Sequence, residues 1–157
     1  MNAQQYRAVI GWFNARPAAK KVLRAVSIGA VAAVYLLYLG LLAWLAWHAM
    51  WAQLGVTAVV PATAFVVGTA LRAAIDRPRP YTKYDFVPLF PKNKTGQSMP
   101  SRHCFSAAAI AAAVWYVLPP LGAVLAVLAA VIAVSRVITG VHFVSDVLAG
   151  LAFGLVF

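Results

Sequence analysis

The sequence predicts an all-α polytopic membrane bundle with about five crossings and a short N-terminal interfacial helix. Three observations predict it. Hydrophobic residues make up 64% of the 157, against roughly half in a soluble domain. Charged residues are only 10%, against roughly 25%, and mean hydropathy is +0.84. The apolar residues gather into runs separated by basic or proline-rich stretches. A small soluble domain needs a mostly polar surface, which this composition cannot supply. The same apolar content excludes a disordered chain. The length fits one compact unit, a single domain over residues 1–157.

Taken in order, Tyr6 to Phe13 is short, mixed and aromatic, and reads as a small amphipathic helix lying at an interface. Asn14 to Arg24 holds Arg16, Pro17, Lys20, Lys21 and Arg24, and reads as a turn and anchor at headgroup level. Ala25 to Trp47 carries no charge and is long enough to cross. Trp44, Trp47 and Trp51 gather at its end, where an aromatic belt belongs. The second span runs from Gln53 to Leu71, with Pro61 as a kink and Gly68 as a point of close packing. Arg72 to Met99 is the one long polar stretch; Pro78, Pro80, Pro88 and Pro91 make it a loop with fixed turns. The third span begins after Pro100–Ser101, with Ser101 as its cap, and Pro119–Pro120 end it. The fourth span runs from Leu121 to Arg136 and the fifth from His142 to Phe157.

The net charge of +10 comes from 13 Lys and Arg against 3 Asp and Glu. Clustered beside apolar spans, that charge fits anionic lipid headgroups or phosphate, and no nucleic-acid partner is expected. The single cysteine, Cys104, excludes an intrachain disulfide. Five crossings bring three polar groups to one face: Arg72, Arg77 and Arg79; Ser101, Arg102 and His103; Ser135, Arg136, His142 and Asp146. His142 and Asp146, four apart, share one helical face. A carboxylate there can accept the proton of one ring nitrogen, leaving the other as nucleophile or base. The plainer alternative is a His–Asp bond that only packs the bundle. Arginines facing two histidines suit a phosphate, because the guanidinium fork donates paired hydrogen bonds. Backbone N–H groups at the start of span three can face the same anion. For Arg77 and Lys83, ordinary headgroup anchoring is an equal alternative. His48 sits among the interfacial tryptophans, and one carboxylate beside two histidines is too few ligands for a two-metal phosphatase.

These groups resemble the type 2 phosphatidic acid phosphatase superfamily, which also takes in vanadium haloperoxidases and glucose-6-phosphatase. Its first motif, Lys-x6-Arg-Pro, is matched by Arg72-x6-Arg79-Pro80, and its second, Pro-Ser-Gly-His, by Pro100-Ser101-Arg102-His103. Its third, Ser-Arg-x5-His-x3-Asp, is matched in full by Ser135-Arg136, His142 and Asp146. Arg72 replaces the family lysine and Arg102 the family glycine. The N-terminal layout is similar to small bacterial members that dephosphorylate undecaprenyl diphosphate.

The resemblance implies that His142 attacks phosphorus and becomes a phosphohistidine, that Asp146 orients it, and that His103 protonates the leaving oxygen. It implies phosphate binding by Arg72, Arg79, Ser101, Arg102, Ser135 and Arg136. It implies no metal and no other cofactor. The partners expected are the bilayer and a membrane lipid phosphate; the expected substrate is a polyprenyl diphosphate, with phosphatidic acid, phosphatidylglycerol phosphate or a lipid phosphotransfer as alternatives. The anion cradle could hold vanadate for haloperoxidase chemistry, but the family members that do this are large and soluble. A small transporter or structural membrane protein would explain the spans but not the spacing of histidine, arginine and carboxylate. All 13 Lys and Arg fall on the site face of the five-span layout, which by the positive-inside rule is cytoplasmic. The resemblance places the site face outside the cytoplasm, and that is the reading taken.

Overall fold

The computed structural model describes residues 1–157. Seven helices follow in order: α1 (Ala3–Asn14), α2 (Pro17–Trp47), α3 (Trp51–Ile75), α4 (Pro80–Lys83), α5 (Arg102–Val117), α6 (Pro119–Ile138) and α7 (Val144–Val156). Six have twelve residues or more, and α4 is a single turn. α1 starts with a capping box: the Asn2 side chain accepts from the Gln5 N–H, and Gln5 accepts from the Asn2 N–H, both at 2.9 Å.

α2 starts at Pro17, where a proline needs no N–H partner. The expected turn between Asn14 and Arg24 is therefore mostly helix. At 31 residues α2 is about 46 Å long, so its basic first turns stand beyond a hydrocarbon core about 30 Å thick. It buries Ser27, Ala30, Val34, Leu41 and Leu45, a stripe at helical spacing. The other faces expose large apolar side chains such as Leu36 and Leu39, as a lipid-facing wall does. α3 buries Thr57, Pro61, Ala64, Gly68 and Arg72 along one line. A Cβ at Gly68 would meet the Phe105 ring at 2.8 Å, so any larger residue would have to displace that buried ring where α3 lies against α5.

The count of about five crossings needs correction. Only α2, the segment from Trp51 and α6 are long and apolar enough to span a membrane. α5 has 16 residues and α7 has 13, about 24 and 20 Å at 1.5 Å per residue, short of a core about 30 Å thick. The physical reason is what their apolar residues face. α5 is buried without a break from Cys104 to Ala111, so its apolarity on every side meets protein. It is the central helix of the bundle, packed by α3, α6 and α7. The main core joins Ala30, Val34, Leu41 and Leu45 of α2 to Ala107, Ile110 and Val114 of α5 and Leu125, Ala129 and Ile132 of α6. α7 reaches α5 through Gly150 and Gly154: a Cβ at Gly150 would lie 2.8 Å from the Ser101 carbonyl, and one at Gly154 would strike the Phe105 carbonyl.

Arg72 near the end of α3, Arg102 and His103 at the start of α5, Arg136 near the end of α6 and His142 before α7 meet at one end of the bundle. The opposite end carries Trp44, Trp47 and Trp51, the last two 87% and 66% exposed, at the level of an aromatic belt.

Candidate active site

The segment between α3 and α5 folds back on itself above the bundle. The Arg79 N–H bonds to the Thr95 carbonyl at 3.0 Å and the Ser98 N–H to the Arg77 carbonyl at 2.8 Å, so residues 77–79 and 95–98 run side by side. α3 ends at Asp76 in a left-handed conformation (φ +38°), and the Asp76 carboxylate accepts from the Gln97 N–H at 3.1 Å. This pairing points backbone carbonyls at two guanidinium groups. Arg72 donates to the Gln97 carbonyl, and Arg79 donates to those of Gly96 (3.1 Å) and Val141 (3.3 Å). Both side chains are buried and held before any ligand arrives.

They open onto a cavity of about 230 Å³ lined by Arg72, Arg79, Lys92, Lys94, Arg102, His103, Arg136, Val141 and His142. Six cations and two imidazoles line it, and none of the chain's three carboxylates does. Such a field favours an anion of high charge. Burial first, then the Arg72, Arg79 and Arg102 guanidinium groups, push the Lys94 ammonium below its ordinary value. The first backbone bond of α5 runs from the Phe105 N–H to the Ser101 carbonyl, which leaves the N–H groups of its first turn without a helical acceptor.

His142 is 3% exposed and Asp146 is fully buried. Their closest approach, Nδ1 to Oδ2, is 3.6 Å, longer than a hydrogen bond. Ser98 stands between them: its hydroxyl donates to Asp146 Oδ2 at 2.5 Å and lies 3.4 Å from His142 Nδ1. Asp146 Oδ2 also accepts the Phe143 N–H at 2.9 Å, and Oδ1 takes Arg77 at 2.6 Å. Arg77 further bonds Ser145 at 2.8 Å and lies over the Phe143 ring at 4.5 Å. Burial pushes the His142 ring below its ordinary value, against the pull of Asp146 and with the help of Arg79 and Arg72. His142 itself is one of the residues that line the cavity.

The sequence-derived residues divide into two sets. Arg72, Arg79, Arg102, His103, Arg136 and His142 line the cavity, and Asp146 stands behind His142. Ser101 and Ser135 lie elsewhere. Ser101 is fully buried; its N–H donates to the Asp146 carbonyl at 2.9 Å, and its hydroxyl makes no cap bond and has no partner. Ser135 donates to the Ile132 carbonyl at 2.8 Å and sits 3.2 Å from the Ser27 hydroxyl, outside the residues that line the cavity. Motif spacing does not reach Ser98, Lys92 or Lys94, and of the two alternatives for Arg77, the site face and headgroup anchoring, its direct contact with Asp146 fits the first.

Tyr6 is a further residue that motif spacing cannot reach. It is fully buried, stacks on Phe86 at 5.6 Å, meets Phe143 edge-on at 6.3 Å, and donates its hydroxyl to the His142 carbonyl at 3.0 Å. Arg7, one residue on, donates to the carbonyls of Tyr84 (3.0 Å) and Asp85 (3.3 Å). α1 is thus fastened across the site end of the bundle.

A family model described as the PAP2 superfamily matches residues 50–157. No curated protein matches the chain. Among solved structures, Aquifex aeolicus LpxE is similar at 24% identity and a TM-score of 0.73, over 99% of this chain and 90% of that one. The first transmembrane PAP2 type phosphatidylglycerolphosphate phosphatase from Bacillus subtilis is similar at 25% identity and a TM-score of 0.69, over 99% of this chain and 82% of that one.

Proposed function

This chain belongs to the PAP2 superfamily and is a membrane-embedded lipid phosphatase of that family, and from that premise we propose that it removes the terminal phosphate of a glycerophospholipid phosphomonoester, phosphatidic acid or phosphatidylglycerol phosphate, through a phosphohistidine at His142. The observation that carries this reading is the cavity in which six cations and two histidines face an anion at the headgroup end of a membrane bundle. The Bacillus subtilis relative, named for a phosphatidylglycerolphosphate substrate, moves the choice of lipid away from the polyprenyl diphosphate that the N-terminal layout suggested.

In this mechanism the ring nitrogen of His142 turned away from Ser98 and Asp146 attacks phosphorus in line with the lipid oxygen. The N–P bond forms, the P–O bond to the lipid breaks, and His103 gives its proton to the departing oxygen. Water then attacks the phosphohistidine, His103 takes a proton from it, and inorganic phosphate leaves. Arg72, Arg79 and Arg136 bind the equatorial oxygens, where charge persists through the transition state. Burial first, then Arg136 and the other nearby cations, push the His103 ring down to about 3 in the free protein; a dianionic phosphoryl group offsets the cationic part of that shift and so favours a proton on the ring. No group of three or more His, Cys, Asp or Glu side chains lies together to hold a metal, and the positive charge at phosphorus comes from guanidinium and ammonium groups.

The test is phosphate release by the purified protein from phosphatidic acid, phosphatidylglycerol phosphate and undecaprenyl diphosphate in detergent micelles. Release from either glycerophospholipid, lost in His142→Ala, is expected. Release from undecaprenyl diphosphate alone would restore the diphosphatase reading, and release from none would refute the function.

A further inference from the structure

Next to the catalytic cavity lies a larger one, of about 350 Å³, that the hydrolysis does not use. α2 contributes Arg24 and Ser27 to it, the loop contributes Phe90 and Lys92, and α6 contributes Arg136. Lys92 and Arg136 line both cavities, so the two are neighbours across a shared cationic wall.

Three features point to an anion. The cavity has three cations and no carboxylate. The Nε of Arg136 is buried without a hydrogen-bond partner, a donor that a bound oxygen would satisfy. The wall is also built: the Phe90 ring is flanked by the Arg24 guanidinium at 5.7 Å and the Lys20 ammonium at 6.0 Å, and Ser27 is pinned to Ser135. The location narrows the class of anion. Arg24 lies on the early turns of α2, which stand at headgroup level, and the apolar Ile28, Phe90 and Pro91 surround the cations as they would a lipid linker. Arg24 also precedes residue 50, outside the family match, so this cavity is not made by the motifs alone.

We propose that this second cavity binds a phosphodiester, so that one lipid places its terminal phosphate before His142 and its bridging phosphodiester between Arg24, Lys92 and Arg136. The inference rests on the proposed function and deepens it: the preferred substrate is a lipid with two phosphoryl groups rather than one. The headgroup of a neighbouring anionic lipid has the same chemistry and is the other source of the anion.

The experiment measures binding apart from turnover. The His142→Ala protein, in nanodiscs of phosphatidylcholine, is titrated with phosphatidic acid and phosphatidylglycerol phosphate of equal chain length, with and without Arg24→Ala. Arg24 is exposed, so its replacement leaves the core intact. The two-phosphate lipid should bind about tenfold more tightly, the effect of one charge-assisted hydrogen bond, and Arg24→Ala should erase the difference while Arg24→Lys keeps most of it. In a second arm, phosphatidylglycerol is added to the nanodiscs. Tighter phosphatidic acid binding that depends on Arg24, without a two-phosphate preference, would assign the anion to a neighbouring lipid. Equal affinities in both arms, unmoved by Arg24→Ala, would overturn the site. Turnover by the unmodified protein is measured alongside; its absence on both lipids would sink the proposed function while the binding arms still decide the cavity.

Discussion

The phenol of Tyr6 donates a hydrogen bond to the backbone carbonyl of His142 at 3.0 Å, across 136 positions of the chain. Burial pushes the Tyr6 hydroxyl up to about 12, so it stays a donor at any physiological pH. An interfacial helix outside the family match therefore holds the backbone of the residue assigned as nucleophile. Tyr6→Phe keeps the ring stack on Phe86 and removes only that bond. It should lower thermal stability by about 1 kcal/mol and reduce kcat several-fold with KM little changed. An unchanged kcat, with stability reduced, would make the bond purely structural.

Replacement of His142 by Ala should abolish turnover in a folded protein. Unmodified protein quenched in acid during reaction with a substrate labelled in its terminal phosphate should carry the label, and the variant should not. Normal labelling of His142→Ala would assign the nucleophile to another group.

Ser98→Ala tests the bridge between the ring and its carboxylate. With the hydroxyl gone, Asp146 loses a short donor and His142 loses its nearest link to it. A fall in kcat of about tenfold with KM unchanged is expected, together with partial recovery in Ser98→Thr, since one charge-assisted hydrogen bond is at stake. A rise in KM alone would place Ser98 in substrate binding.

The acidity of His142 has a definite sign. Burial holds its ring below the ordinary imidazole value of 6.5, so the neutral nucleophilic form persists at pH values where a free histidine is already charged. Nuclear magnetic resonance of ring-labelled protein should show His142 titrating below 6.5, and nucleophilic competence should fall only as pH drops through that lower value. The linked stability has the same direction: it is full above 6.5 and is lost as pH falls, because the unfolded chain takes up the proton first. A titration midpoint above 6.5 would mean that Asp146 outweighs burial.

His103 should matter most when the leaving group is poor. In His103→Ala, a lipid phosphomonoester should lose at least about tenfold more rate than an activated aryl phosphate, since general acid catalysis contributes roughly 10²–10⁴-fold. The comparison is made where phosphorylation limits the rate. Equal losses on both substrates would leave His103 as a phosphate ligand only.

The parts legible in the sequence were those encoded at short range. The spacing of His142 and Asp146 brought the two side chains near each other, although His142 precedes α7 instead of sharing a helical face with Asp146, and the apolar runs of α2, α3 and α6 marked themselves by length. Hydropathy cannot say whether an apolar face meets lipid or protein, so α5, a core helix, read as a span. Ser98 and Arg77 reach Asp146 over 48 and 69 positions, through a loop whose path depends on the fold. No periodicity links them. Ser101 and Ser135 lie inside matched motifs, yet both are buried and neither is among the residues that line the cavity, a distinction that only packing reveals.

The brevity of α7 has a consequence for the membrane itself. Thirteen residues present an apolar wall about 20 Å tall, and its outer face, with Leu148 and Leu155 exposed, is shorter than the hydrocarbon beside it. A short apolar wall is accommodated by thinning of the adjoining bilayer, by flanking side chains that snorkel, or by a second copy that covers it, so this flank is where the protein and its surroundings must adjust to each other.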